Sequence, residues 1–162
     1  MKSLIVCVSV EHGNTRKIVE AIADVLGAAI MEPEEIEDDQ VLSEYDLIGF
    51  GAGIYYGFHH KRLRRFVRRI RSHKPQKAFL VTTNGVRSKF YVKMLNVNIN
   101  SLKKQLQRKG FEVVGDFSCG GISDWAFFKL IGGISKGRPN DSDIENAKEF
   151  ARGLISQVNN SI

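Results

Sequence analysis

Short, wholly apolar runs alternate with longer segments of helical periodicity along this chain, and that alternation limits the fold more than any other feature. The first run, residues 3–8, contains Leu4, Ile5, Val6, Cys7 and Val8 in unbroken succession. Segment 15–27 follows, with Ile18, Ile22, Val25 and Leu26 at helical spacing and a stop at Gly27. Ala28 to Met31 reads as a short edge strand, and 32–45 as an acidic surface connection with a helical turn. Asp46–Gly51 and Lys77–Thr83 read as buried strands, and Phe111–Cys119 as a strand with Val113, Gly115, Phe117 and Cys119 alternating. Segment 60–72 places Leu63, Phe66, Val67 and Ile70 on one helical face. Segment 89–109 is helical in pattern but interrupted by Asn96, Asn98 and Asn100, so Ser101–Lys109 is its firmer part. Ser142 with Glu145 spells a capping box for a last helix to about Val158, with Ile144, Ala147, Ala151, Leu154, Ile155 and Val158 inward.

Strands without polar alternation must be covered on both faces, and right-handed crossovers place helices on both. The expectation is a single α/β domain over 1–162 with a five-stranded parallel sheet. Five strands suit the order 2-1-3-4-5 better than a six-stranded dinucleotide fold. In that order the ligand crevice lies outside the carboxyl ends of the first and third strands. The loops there are 9–15 and 51–59, with 83–90 and 119–140 on the same edge.

The first of these loops, Ser9-Val10-Glu11-His12-Gly13-Asn14-Thr15, joins a buried strand to a helix start. Unpaired N–H groups and the helix dipole make such a place favourable for a phosphate, and the Ser9 and Thr15 hydroxyls add donors. A plain helix cap by Asn14 or Thr15 is the competing reading. The second loop, Gly51-Ala52-Gly53-Ile54-Tyr55-Tyr56-Gly57-Phe58-His59-His60, has more glycine than a turn needs and two adjacent tyrosines. Glycine lets backbone approach a flat ligand, and a tyrosine face can stack on one. Gly85, in Thr82-Thr83-Asn84-Gly85-Val86, offers a second close approach. Four such loops on one edge favour a ligand over a cap.

Other sites fail on their residues. A receiver domain needs clustered acids after strands one and three, where Ser9 and Gly51 stand, with Glu11 alone. There is no GxxxxGK[ST] phosphate loop, and Gly57 falls one residue late for a dinucleotide fingerprint. Cys7 and Cys119 lie in apolar strands without metal spacing, which predicts buried reduced thiols. Neither a signal peptide nor a membrane-length apolar run is read, which predicts a cytoplasmic protein. The net charge of +6 is local: Lys61–Lys74 holds eight Lys/Arg and no acid, and without them the charge would be −2. This basic helix is a solvated face, a dock for an acidic redox partner, or a contact for an anionic membrane surface. Nucleic acid is disfavoured, because no aromatic residues alternate with the charges.

These motifs resemble the flavodoxin family over essentially the whole chain. Ser9-x-x-x-Gly13-Asn14-Thr15 is similar to its FMN phosphate loop, Gly51-x-Gly53-Ile54-Tyr55-x-Gly57 to its first ring-flanking loop, and Thr83-Asn84-Gly85-Val86 to its second. The 53–60 and 132–140 segments are similar to short single-domain flavodoxin-like proteins. The former also resembles the flavodoxin-type protoporphyrinogen dehydrogenase of haem synthesis, whose long insertion this chain lacks. The resemblance implies a flavodoxin-like three-layer sandwich with non-covalent FMN. Ser9, Gly13, Asn14 and Thr15 would hold the phosphate; Ala52, Gly53, Ile54, Tyr55 and Tyr56 would line one side of the ring; Thr83, Asn84 and Gly85 would line the other, with Val86 next to them. Gly57 would permit a peptide to reorient near the ring. Two residues depart from the family's neutral phosphate loop: Glu11 should point outward, and a protonated His12 could donate to the phosphate. Carrier flavodoxins are acidic, so the basic helix implies a different mode of docking.

The function implied is an FMN-binding electron carrier between redox partner proteins. The alternatives are a flavin oxidoreductase acting on a quinone or porphyrinogen, and an FMN-free interaction module. No residue stands out as a general acid or base, with His59 and His60 the candidates for delivering a proton. Trp125, Phe127 and Phe128 form a further aromatic patch for the core, the flavin edge or a partner.

Overall fold

A computed structural model describes residues 1–10, 13–55, 58–84, 89–119 and 139–159, apart from the side chains of 55 and 89–95. The strands are β1 (Ser3–Val8), β2 (Ala29–Met31), β3 (Leu47–Tyr55), β4 (Phe58–His59), β5 (Gln76–Thr83) and β6 (Phe111–Cys119). The helices are α1 (Asn14–Leu26), α2 (Lys61–Arg69), α3 (Lys89–Arg108) and α4 (Asp141–Asn159), with 3₁₀ turns at Pro33–Glu35 and Asp39–Glu44. The main sheet runs β2-β1-β3-β5-β6 and is parallel throughout. Counting β5 and β6 as the fourth and fifth core strands, this is the expected order.

Alternate side chains of each strand feed two cores. Leu4, Val6 and Val8 of β1 face the side covered by α2 and α3, together with Ile48, Phe50, Ala52 and Ile54 of β3. Ile5 and Cys7 face α1 and α4, as do Phe79 and Val81 of β5. All of these are at least nine-tenths buried, which accounts for runs without a polar residue. Two glycines make room on the α1 side. A Cβ on Gly49 would stand 2.5 Å from the Phe79 ring, and one on Gly51 would meet Val19 of α1 at 3.0 Å. Gly51 therefore serves packing within a strand and not approach to a ligand.

Segment 51–59, expected as a loop, is largely strand. The Ile48–Phe50–Ala52–Ile54 alternation carries β3 to Tyr55, and β4 folds back antiparallel with Ile54 opposite His59 and Tyr55 opposite Phe58. Glycines at 49, 51 and 53 hide this alternation in the sequence, because they show no side chain on the other face. β6 differs in another way. Ala78 pairs Val113 but Phe79 pairs Gly115, so Val114 is an extra, bulged residue. Val113 consequently joins Phe111 on the α2/α3 side, while Gly115, Phe117 and Cys119 face α4 and α1. The single-face alternation expected from Val113 to Cys119 is broken there.

α3 is one continuous helix. Asn96, Asn98 and Asn100 are half-buried or exposed and do not interrupt it, since Ile99, Leu102 and Leu106 carry the buried stripe. α4 begins two residues earlier than a cap at Ser142 implies. Its reciprocal cap is Asn140 with Asp143: the Asp143 N–H donates to Asn140 Oδ1 at 3.0 Å, and the Asn140 N–H donates to Asp143 Oδ2 at 2.9 Å. This is the capping-box geometry with different residues.

The acidic connection is more than a surface linker. Ile36 and Leu42 are buried, and the fully buried side chain of Gln76 donates to the carbonyls of Leu42 (2.5 Å) and Tyr45 (2.8 Å) while accepting from Ser72 Oγ at 2.8 Å. Arg62 of α2 grips Glu32 and Glu34, and Arg69 donates to the carbonyls of Pro33, Ile36 and Glu37. Asp39 accepts from the Arg71 N–H at 3.0 Å and pairs with His73 at 2.9 Å, and Lys74 reaches Asp46 at 3.6 Å. Two of the eight cations, Arg62 and Arg69, are thus engaged through their side chains by the chain's own acidic segment, and Lys74 by the neighbouring Asp46.

Candidate functional site

The carboxyl ends of β1, β3 and β5 and the start of α1 meet at one edge of the sheet. Gly13 is the N-cap of α1 at φ +65°, ψ 15°, and supplies no side-chain cap. A residue with a side chain is strained there, and the space beside its α-carbon is open. Neither Asn14 nor Thr15 is the cap, as the competing reading required; both lie within the helix. The Arg16 N–H is directed at Ser9 Oγ, 3.3 Å away. Its guanidinium turns along the helix to Glu20 at 2.7 Å, so attraction for an anion here comes from backbone and hydroxyls.

Thr15 points inward. Its Oγ1 lies 2.7 Å from Thr83 Oγ1, both residues being at least nine-tenths buried. This bond ties the helix start to the end of β5. A hydroxyl pair uses one of its two protons, so one donor and several lone pairs remain for a third atom. The sequence reading assigned Thr15 to the phosphate and Thr83 to the ring; the structure brings the two side chains into contact.

Asn84 follows directly. Its N–H donates to the Cys119 carbonyl at 3.2 Å, while its side-chain Oδ1 and Nδ2 are both buried without a partner among the described residues. Ser118 Oγ, on the neighbouring strand, is buried and likewise unpartnered among the described residues. A buried carboxamide left unpaired at both ends costs about 1–3 kcal/mol per group, so such a residue usually awaits a partner with complementary donors and acceptors. Ser118 was missed from sequence because an isolated serine late in a strand carries no distinguishing pattern.

On the opposite flank, the Ala52 and Ile54 side chains enter the α2/α3 core. What these two residues present at the edge is therefore mainly backbone. The Gly53 carbonyl accepts the His60 N–H at 3.1 Å, and Gly53 pairs in register with Thr83. His59 is 4% exposed, with its Nε2 3.1 Å from Thr82 Oγ1. Burial, aided by the Arg64 charge, lowers its pKa from 6.5 to about 4. His60 caps α2, its Nδ1 accepting the Arg62 N–H at 3.3 Å, and burial with the nearby Arg62 and Lys61 lowers its pKa too. His60 thus takes the helix-cap role common to histidines at a helix start, and His59 is a buried anchor. The His59–Thr82 anchor spans 23 positions, and nothing local in the sequence signals it.

Cys7 is free and buried, and burial raises its thiol to about 12, which removes it as a nucleophile. Cys119 is likewise buried. Among the described residues no group of three or more His, Cys, Asp or Glu could hold a metal, and no helix is long and apolar enough to cross a membrane. Glu11, His12, Tyr56, Gly57, Gly85 and Val86, with the aromatic patch and most of the 132–140 motif, lie outside the described residues.

Comparison with known proteins matches residues 5–121 to the family described as Flavodoxin domain. An uncharacterized protein of Methanocaldococcus jannaschii is 42% identical over 158 residues, covering 96% of this chain and 99% of its own. Among solved structures, oxidised Flavodoxin 2 from Bacillus cereus superposes with a TM-score of 0.69 at 18% identity, covering 97% of this chain and 99% of that one. A flavodoxin from the domain Archaea gives 0.66 at 16% identity, over 98% and 99%. An NAD(P)H:quinone oxidoreductase from Methanothermobacter marburgensis gives 0.65 at 12% identity, over 95% and 98%. At these identities the structural likeness speaks for the fold.

Proposed function

This chain belongs to the flavodoxin family, and on that premise we propose that it binds FMN at the carboxyl edge of its sheet and carries electrons between redox proteins. The observation that carries the reading is the buried Asn84 carboxamide, unpartnered at both its oxygen and its nitrogen among the described residues. An isoalloxazine edge alternates donors and acceptors, which a carboxamide complements. The residues present suit the rest of the molecule. The first-turn amides of α1, the remaining proton of the Thr15–Thr83 pair and the Ser9 hydroxyl would hold the phosphate. The main chain of Ala52, Gly53, Ile54 and Tyr55 and the residues that follow would flank one side of the ring, and Thr83, Asn84 and Gly85 the other.

FMN, when bound, supplies one- or two-electron transfer; the protein supplies position and electrostatics. The Thr15–Thr83 bond fixes the phosphate end relative to the ring end. The His59–Thr82 bond holds the β3–β4 hairpin against β5, and so sets the distance between the two flanking segments. His59, buried and held neutral with its Nε2 on Thr82, serves as an anchor and not as a proton donor, which is compatible with a carrier role.

The test is titration of the purified, flavin-free chain with FMN, followed by quenching of flavin fluorescence. Saturable one-to-one quenching is expected. Asn84→Ala should weaken binding about tenfold through the lost pairing, while the flavin-free protein keeps its stability because an unsatisfied group has been removed. Absence of quenching by the native chain would overturn the proposal.

A further inference from the structure

The cations of α2 fall into two sets. Arg62 and Arg69, seven residues apart, lie on the flank that meets the acidic segment and are engaged there. Lys61, Arg64, Arg65 and Arg68 stand at i, i+3, i+4 and i+7, opposite the buried Leu63, Phe66 and Val67. Their side chains have no acidic partner among the described residues. Arg64 instead lies over the ring of Phe58, 5.2 Å from its centroid. Phe58 is half exposed and sits on β4, paired with Tyr55 at the end of β3. A positive stripe about 10 Å long therefore runs from the hairpin beside the candidate site along the outer face of α2.

We propose that this stripe, with Phe58 as its apolar end, docks the acidic face of a redox protein and brings that protein's centre to the cofactor edge. The proposal rests on FMN binding as argued above and adds the partner's charge and its place of contact. Three of the four cations are arginine, whose planar fork suits carboxylates better than lysine does. The flank of the same helix already shows the chemistry, with Arg62 holding two glutamates at 2.5–2.7 Å. A half-exposed aromatic beside an unpaired arginine stripe is the composition of a protein interface centre with a charged margin. A lipid surface would gain little from a single phenylalanine, and a nucleic acid would lack stacking residues among the charges.

The experiment uses FMN-loaded full-length protein and a plant-type acidic [2Fe–2S] ferredoxin as the probe. The ferredoxin, previously reduced by dithionite, gives up one electron, and the flavin accepts it. Stopped-flow absorbance gives the second-order rate. That rate should fall about tenfold as ionic strength rises from about 0.01 to about 0.15 M, the sign of attraction. Reduction of basic cytochrome c by the reduced protein should rise with salt over the same range. R65E/R68E should slow the ferredoxin reaction at low salt about tenfold, whereas K104E/K148E, with the same net charge on α3 and α4, should change it by less than about twofold. If charge reversal disturbs folding, R65Q/R68Q carries the same comparison. Equal effects of the two double variants would overturn the proposal while leaving FMN binding intact. So would loss of binding to vesicles with 30% phosphatidylserine, or to a DNA duplex, in R65E/R68E with an unchanged ferredoxin rate. Failure to load FMN is a different result and refutes the underlying function.

Discussion

His59 should make the folded protein acid-sensitive well above the range in which carboxylates titrate. Its ring is 4% exposed, and burial holds its pKa at about 4 against 6.5 in an unfolded chain. Below pH 6.5 the unfolded chain takes up a proton that the folded one excludes, so stability falls as pH falls. The contribution is complete above pH 6.5 and lost progressively toward pH 4. Across the whole interval it amounts to about 3 kcal/mol, at about 1.4 kcal/mol per pH unit, and about 2 kcal/mol of it is gone by pH 5. Urea unfolding of the native chain and of His59→Gln, measured from pH 7.5 to 5.0, isolates this term. Glutamine can still reach Thr82 Oγ1 and has no proton to gain, so the variant should lose about 2 kcal/mol less than the native chain over that range. Whatever the substitution costs at pH 7.5 cancels, because the comparison is between slopes. His60, His73 and the carboxylates are common to both proteins and cancel likewise. Parallel stability profiles would refute the account of His59 as a buried neutral anchor.

Two further substitutions test the packing that positions the site. Gly49→Ala should lower stability by about 1–3 kcal/mol, because its Cβ would stand 2.5 Å from a fully buried Phe79 ring that itself packs edge-on to Phe150; an unchanged thermal midpoint would contradict it. Gln76→Ala should cost about 2–3 kcal/mol by stranding the Leu42 and Tyr45 carbonyls, while the Ser72 hydroxyl keeps the Lys74 carbonyl as its acceptor. Amide hydrogen exchange should accelerate selectively over 39–46, whereas uniform acceleration would point to general destabilisation.

The sheet was legible because β1 and most of β5 are short, buried and apolar, and helices between such strands imply a parallel sheet covered on both faces. The end of β3 was not. Glycines removed the side chains by which its alternation would have been seen, so a strand and hairpin read as a loop. The bulge at Val114 was equally hidden, since inserting one residue into a mostly apolar strand leaves its composition unchanged while turning its later side chains to the other face. For α4, Asn140/Asp143 and Ser142/Glu145 both have the spacing of a reciprocal cap, and only the backbone distinguishes them. At the site, the loops around Gly13 and Asn84 were readable from turn residues after strands. The Thr15–Thr83 and His59–Thr82 bonds were not, because each joins residues far apart in sequence through the fold itself. The same holds for α2: its charges were plain, but their division into engaged and free sets depends on a segment some thirty residues upstream.

That division gives one helix two different responses to salt. The acidic segment is covalently tethered and pinned at both ends, by Pro33 and Ile36 against Arg69 and by Leu42 and Tyr45 against Gln76. Its carboxylates therefore meet Arg62 at a high local concentration that dilution cannot change. A partner on the outer stripe has only its bulk concentration and a screened attraction. Raising the ionic strength should then dissociate the intermolecular contact while the intramolecular one persists, so the partner leaves a helix that remains correctly seated for the next encounter.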